Sequence, residues 1–330
     1  MLTLVVVATI AEPSFRGTGV PAARSFLERP IPPSPALAPN SAALVRRSLV
    51  PFVRNANLAN SDAWGIPIVT VEEGDRRRRI DLFRWGYGTR DRVTFRIPAW
   101  ARPTTGSDHH LAVVDGDAEL NVWVAERQSD GHWRSGARTV VSGTPIAGPV
   151  AATASGFALT AGVVRPEEIA RGRIDHALAF TAPYVRNRFV APAVHGDGRV
   201  GDPRALPMGA HIQLDPRVDV SGLPRPQQIV ARALQEYGAY LVDTGGSLAL
   251  RAEASIGRAR RGRPTDIWAP VGVTSSSLQA IPWHRMRVLA HGSRLVVQAR
   301  RRDAGGRRSD IRPAGAAQTR SLPSRPSASG

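Results

Sequence analysis

The chain contains no cysteine and no lysine, and its only long apolar run is too short to cross a bilayer. Without cysteine there is no disulfide framework, no zinc–thiolate centre and no thiol nucleophile. Without lysine there is no phosphate-binding loop of the kind that ends in that residue. A HExxH metal helix and a GxSxG nucleophile elbow are also missing. "GDGRVGD" (residues 196–202) alternates Gly and Asp as a calcium loop does, but lacks the closing Glu and flanking helices of an EF-hand. No metal and no cofactor is therefore assigned.

The 31 glycines and 27 prolines make up about 18% of the 330 residues, against a typical roughly 12%. Turns and irregular connections are favoured. The formal charge is +17, and all 44 basic residues are arginine. Arginine throughout fits a GC-rich coding bias. The functional counterpart is an anion-binding surface, because the guanidinium fork matches carboxylate and phosphate. Residues 76–79 form one arginine cluster, and residues 299–330 carry eight Arg against two Asp. With almost no apolar periodicity, residues 298–330 are expected to be a disordered, Arg-rich tail.

"LTLVVVATIA" (residues 2–11) resembles the apolar region of an export signal without its basic lead, so residues 1–11 are read as a truncated signal segment. Residues 12–45 are a Pro/Ala-rich lead, read as an extended linker or a segment lying along the domain surface. "NSAALVRRSLVPFV" (residues 40–53) within and beyond it predicts a short helix capped at Asn40 or Ser41. Residues 46–297 form a single β-rich domain, with short strands, Gly/Asp turns and spacings near those of sandwiches and barrels. In "RVTFRIPAW", Val93, Phe95 and Ile97 share a face. "DGD" (residues 115–117) and "SDGH" (residues 129–132) read as hairpin turns. Residues 142–162, rich in small side chains, read as a weakly structured connection across one end of the sandwich. "RPEEIARG" predicts a short helix with Pro166 in its first turn and Gly172 after its last. Ile229, Val230, Ala233, Leu234 and Tyr237 form the stripe of an amphipathic helix. The fold class is therefore all-β, a β-sandwich or jelly roll with one or two short flanking α-helices.

Histidines and acids gather at strand starts. Asp108, His109 and His110 precede one apolar run, Asp175 and His176 another; His195 meets the Gly/Asp loop, and His211 lies in "PMGAHIQL". His is a base or acid near neutral pH, Tyr donates a proton, and Arg neutralises a carboxylate. Metal-free β-elimination of a polysaccharide uses that set. In this reading His110 and His176 are base or positioning groups, Tyr237 the acid and Asp243 an orienter, with Asp108, Arg165, His195 and His211 binding. Hydrolysis would need two carboxylates across a cleft, drawn from Asp108, Asp115, Asp175 and Asp243. The plainer alternative is that these polar groups satisfy loop backbone. Trp123 and Trp133 read as packing groups, with sugar stacking as their functional alternative.

The blocks "SDHHLAVVD" (residues 107–115), "LTAGVVRPEEIARGRIDHALAFTAP" (159–183), "DPRALPMGAHIQLD" (202–215), "VARALQEYGAYLVDTGG" (230–246) and "LQAIPWHRMRVL" (278–289) occur in this order. Together they resemble a group of uncharacterised, exported bacterial β-rich proteins over roughly residues 40–295. The resemblance picks out Asp108, His110, Asp115, Arg165, Glu168, His176, Met208, Gly209, Tyr237, Gly238 and Asp243. It implies an exported protein and no particular activity. The group shows two arginines where this chain has His211 and Gln213, which puts any anion-binding role of those positions in doubt.

The expectation is an exported or cell-surface protein acting on a polysaccharide or cell-wall glycan, with no specific nucleic-acid partner and no membrane span. A non-catalytic carbohydrate-binding or structural module is the alternative. An enzyme would place His110, His176 and Tyr237 in one concave site, whereas a binding module would show a flat aromatic platform.

Overall fold

The computed structural model describes residues 25–260, 265–275, 278–291 and 296–297. The expected signal segment at 1–11, the first part of the lead and the tail at 298–330 lie outside the described residues.

Helix α1 spans Ser41–Ser48 with Asn40 at its N-cap position; strands β1 (Asn57–Ala59), β2 (Ile68–Thr70), β3 (Arg77–Leu82) and β4 (Val93–Arg96) follow. Next come β5 (Leu111–Asp115), β6 (Ala118–Trp123), β7 (Glu126–Arg127), β8 (Trp133–Ser135) and β9 (Ala137–Ser142). After a long connection, α2 (Pro166–Arg171) leads to β10 (Leu178–Ala182), β11 (Val185–Phe189), β12 (Leu206–Met208) and β13 (His211–Leu214). The chain continues through α3 (Arg225–Glu236), β14 (Ala239–Thr244), β15 (Ala249–Arg251), β16 (Met286–Val288) and β17 (Val296–Val297).

The all-β class with flanking helices holds, and the strands form four sheets, all of them mixed. Their orders are β1-β15-β10-β14-β13-β16, β12-β11-β17, β2-β5-β6-β9 and β4-β3-β8-β7. "DGD" and "SDGH" do turn the hairpins β5–β6 and β7–β8. Between them the chain changes sheets: β6 pairs with β9, and β7 with β8. The change falls at Val124, whose φ of +50° is a genuine strain for a β-branched residue.

The two four-stranded sheets pack face to face. Val69, Leu111, Val113, Leu120 and Val122 from one meet Ile80, Phe95 and Trp133 from the other. Ala112 and Val114, on the opposite face of β5, pack with Ile68, Leu159 and Val163. This strand is buried on both faces, which is why it reads as an unbroken apolar run.

Residues 142–162 are the weakly structured connection that the sequence suggests. They form little regular structure, but they are core: Phe157, Ala158 and Leu159 are buried. Small side chains let the segment lie close to its neighbours. Its backbone is satisfied by polar groups of β6: Leu159 N donates to Asn121 Oδ1, and Thr160 N to Glu119 Oε1 at 3.1 Å.

The principal core lies around the six-stranded sheet, with Leu44, Val45, Phe180, Leu241, Trp268 and Trp283 among its members. Leu27 and Ala38 of the lead belong to it as well. In α3, Ile229, Val230, Ala233 and Leu234 are buried as the stripe predicts, with Ala231 beside them. Strands β14 and β15, adjacent in sequence, do not pair; β10 lies between them, parallel to β14 and antiparallel to β15. No helix among the described residues is long and apolar enough to cross a membrane.

Candidate functional site

The structure divides the candidate residues into three separate places. The first gathers Asp108, His110 and Asp243 around Arg251, a residue that the sequence reading overlooked. Arg251, only 4% exposed at the end of β15, donates from Nη2 to Asp243 Oδ2 at 2.7 Å. Burial pushes the Asp243 carboxyl up to about 8; Arg251 pulls it back, while Asp197 and Asp108 push it further up. Asp197 Oδ2 accepts from Thr244 Oγ1 at 2.5 Å, and burial raises its carboxyl too. His110 donates from Nε2 to Ala152 O at 3.2 Å, and burial lowers its imidazole to about 4. It is therefore neutral at physiological pH, with its proton on Nε2. Asp108 accepts from Trp123 Nε1 at 3.4 Å. Nearby, His195 Nδ1 lies 3.2 Å from Ala154 O. These groups come from five distant stretches of chain and tie β14 and β15 to the loops before β5 and after β11.

The second place is the junction of α2 and β10. Acids at Glu167 and Glu168 suit the first turn of α2, and Gly172, at φ +86°, ends it. The Glu168 carboxylate accepts Arg165 N at 2.9 Å and faces His176 Nε2 at 2.9 Å. His176 Nδ1 donates to Ala177 O, also at 2.9 Å. Both ring nitrogens meet acceptors, which favours the imidazolium. Burial, the largest influence, lowers the His176 pKa; the Glu168 hydrogen bond and charge outweigh it, and the net direction is up. His176 is thus a latch between helix and strand.

The third place is the end of α3. Tyr237 is 5% exposed, and its hydroxyl receives Arg173 Nη2 at 3.4 Å; burial raises its pKa. His211 donates from Nε2 to Tyr237 O at 2.8 Å and stacks on Tyr240 with ring centroids 4.0 Å apart. Burial lowers it to about 4. Gly238, at φ +73°, is needed here, since a Cβ would lie 2.3 Å from Ile212 O. Gln213 takes up its role beside this site by accepting Arg287 Nη2 at 2.7 Å.

His110, His176 and Tyr237 have different side-chain partners, and none of them lines the groove of about 360 Å³ beside α3, which Arg173, Ile174, Ile229, Arg232 and Glu236 help to form. Among the described residues no group of three or more His, Asp or Glu has the geometry to hold a metal ion.

A different feature is a group of aromatic rings at the end of β3. Phe83 and Trp85 stack with centroids 5.1 Å apart and planes 6° apart. Trp85 is 54% exposed. Trp123 meets Trp85 edge-on at 6.0 Å and stacks on Tyr87 at 6.2 Å, and the Arg134 guanidinium lies over Phe83 at 4.7 Å. The loop under these rings is held firmly. Gly86 N donates to Phe83 O at 2.9 Å, Tyr87 N to Gly136 O at 2.6 Å, and Arg90 to the carbonyls of Phe83 and Arg84. The largely buried Arg138 reaches Thr89 O and Asp91 O from below. Gly136 makes room for the rings, because a Cβ there would lie 2.6 Å from Trp123 Cε3. The sequence signal was "RWGYG" (residues 84–88), aromatics alternating with glycine, which the strand pattern alone did not mark as a site. Trp133, by contrast, is 3% exposed and belongs to the core.

Comparison with known protein families, curated proteins and solved structures finds no match to this chain. The motif resemblance therefore stands on its residues alone.

Proposed function

We propose that this protein is an exported or surface-held module that binds a polysaccharide without turning it over. The observation that carries the reading is the exposed Trp85 ring, firmly supported by the half-buried rings of Phe83, Tyr87 and Trp123. Aromatic faces present apolar area with little conformational freedom to lose, and the C–H faces of sugar rings pack on them. A lyase or glycosidase is the weaker reading, because His110 and Tyr237 are buried and committed to other partners. The strain at Val124, next to Trp123, agrees with a ring held in place for a purpose.

The test is calorimetric titration of the full chain with soluble polysaccharides, alongside Trp85→Ala. Binding that Trp85→Ala weakens at least tenfold, with unchanged circular dichroism, is the expected result. Release of unsaturated or reducing ends from any of the polymers, lost in His110→Ala, would overturn it in favour of catalysis.

A further inference from the structure

Successive residues of a strand point to opposite faces. On β3, Ile80 and Leu82 are buried, while Arg77, Arg79 and Asp81 belong to the other face, and Phe83 is the next residue in that outward series. Across the sheet Arg134 of β8 stands opposite Asp81. The outward face therefore runs from arginine into the ring group over roughly 20 Å, taking about 3.3 Å per residue.

The cations on this face are unevenly matched. Arg79 is paired with Asp81 at 2.8 Å, and Arg96 with Asp115. Arg77 donates to Thr94 O at 2.8 Å and to Thr94 Oγ1 at 3.2 Å, with no carboxylate partner among the described residues. Arg134 lies over the Phe83 ring, and neither it nor the exposed Arg84 forms an ion pair among the described residues. Arg84 and Arg134 thus border the ring group, and Arg77 stands at the far end of the same strand; none of the three is in an ion pair among the described residues, and the acids opposite Arg134 in the sheet, Asp81 and Glu126, are bonded elsewhere. A neutral glycan would leave them idle, whereas a carboxylated or sulfated one would meet each fork with two oxygens. A single-stranded nucleic acid needs successive open ring platforms, and here only Trp85 among the four rings is more than half exposed.

We infer that the ligand of this face is an anionic polysaccharide, its charged groups held by Arg77, Arg84 and Arg134 and one of its sugar rings packed on Trp85. This rests on the glycan-binding reading above and narrows it to the charged class.

The experiment uses the full chain and two matched pairs: polygalacturonate against its methyl ester, and dextran sulfate against dextran. Single-stranded poly(dT) is a fifth probe. The expected result is at least tenfold tighter binding of one anionic member than of its neutral twin, with affinity falling several-fold from 50 to 500 mM NaCl as screening grows. The responding pair identifies carboxylate or sulfate. The double variant Arg77→Gln/Arg134→Gln, its fold checked by circular dichroism, should lose about tenfold on the anionic chain and almost nothing on any neutral one. Equal binding of the twins overturns the inference and leaves the glycan reading standing. No binding to any of the four glycans overturns both. Tighter binding of poly(dT) than of every glycan, sensitive to Trp85→Ala, overturns the inference in favour of a nucleic-acid ligand.

Discussion

Replacing Arg251 by Met isolates the electrostatics of the buried cluster. In the wild type, the Asp243 carboxyl ordinarily titrates near 3.8 and is pushed up to about 8 by burial. The folded state therefore holds this proton more tightly than the unfolded chain does. Its stabilising effect is fully present below pH 3.8, declines as pH rises, and is lost above about pH 8. Arg251 limits that decline by favouring the ionised form. Arg251→Met removes the 2.7 Å hydrogen bond from Nη2, a charge-assisted contact of about 1.5–3 kcal/mol. With the guanidinium gone, Asp243 keeps its proton to still higher pH. The stability gap between variant and wild type should stay level below about pH 8 and widen by roughly 1.4 kcal/mol for each pH unit above it. Where Asp243 is ionised, the loss of one partner should reach the 3–5 kcal/mol typical of a broken buried pair. Urea unfolding at half-unit steps from pH 6 to about 9.5 measures the gap, at constant ionic strength. The double variant Asp243→Asn/Arg251→Met should recover much of the loss and show no such widening, because no carboxyl remains to ionise there. A gap that is the same at pH 6 and pH 9.5 would refute the coupling.

Four further outcomes follow from the same structure. His110 and His211, ordinarily near 6.5, are both lowered to about 4 by burial, so the unfolded chain takes up their protons first; stability should fall as pH drops from 6.5 toward 4, and His110→Gln should remove part of that acid limb in urea titrations. His176 is raised above 6.5, so its contribution is present below that pH and fades as pH rises through its folded value; Glu168→Gln should lower the imidazole pKa read by NMR and cost about 1–3 kcal/mol. Asn121→Ala would strand the buried Leu159 N–H, with an expected cost of about 1–3 kcal/mol in urea unfolding. Gly136→Ala would crowd Trp123 and Trp85; altered tryptophan fluorescence together with weakened glycan binding is expected, and unchanged binding would detach the ring group from function.

Much of the local structure was legible because it depends on neighbours in sequence. Pro166, the acids at Glu167 and Glu168 and the closing Gly172 delimit α2 without any tertiary information. The spacing of Ile229, Val230, Ala233 and Leu234 marks the buried face of α3. "DGD" makes the β5–β6 turn because Gly116 takes φ +60° there. The same local view left the burial of residues 142–162 unread. Small residues without a period mark a weakly structured connection, and its burial depends on Glu119 and Asn121 of a strand far away in sequence.

The sites divide along the same line. Composition and order alone marked Asp108, His110, His176, Tyr237 and Asp243 as polar groups set against apolar runs, and that is a local property. Which of them meet was decided by pairing: β10 inserts between β14 and β15, so that Asp243 and Arg251 face each other across a strand that comes some sixty residues earlier in the chain. His176 turned to the helix before it, not toward His110. The ring group likewise needed β3 and β8 side by side and a glycine at 136 beneath Trp123. Short-range chemistry sets a residue's turn, cap or face. Long-range hydrogen bonding between strands chooses its partners, and no local pattern carries that information.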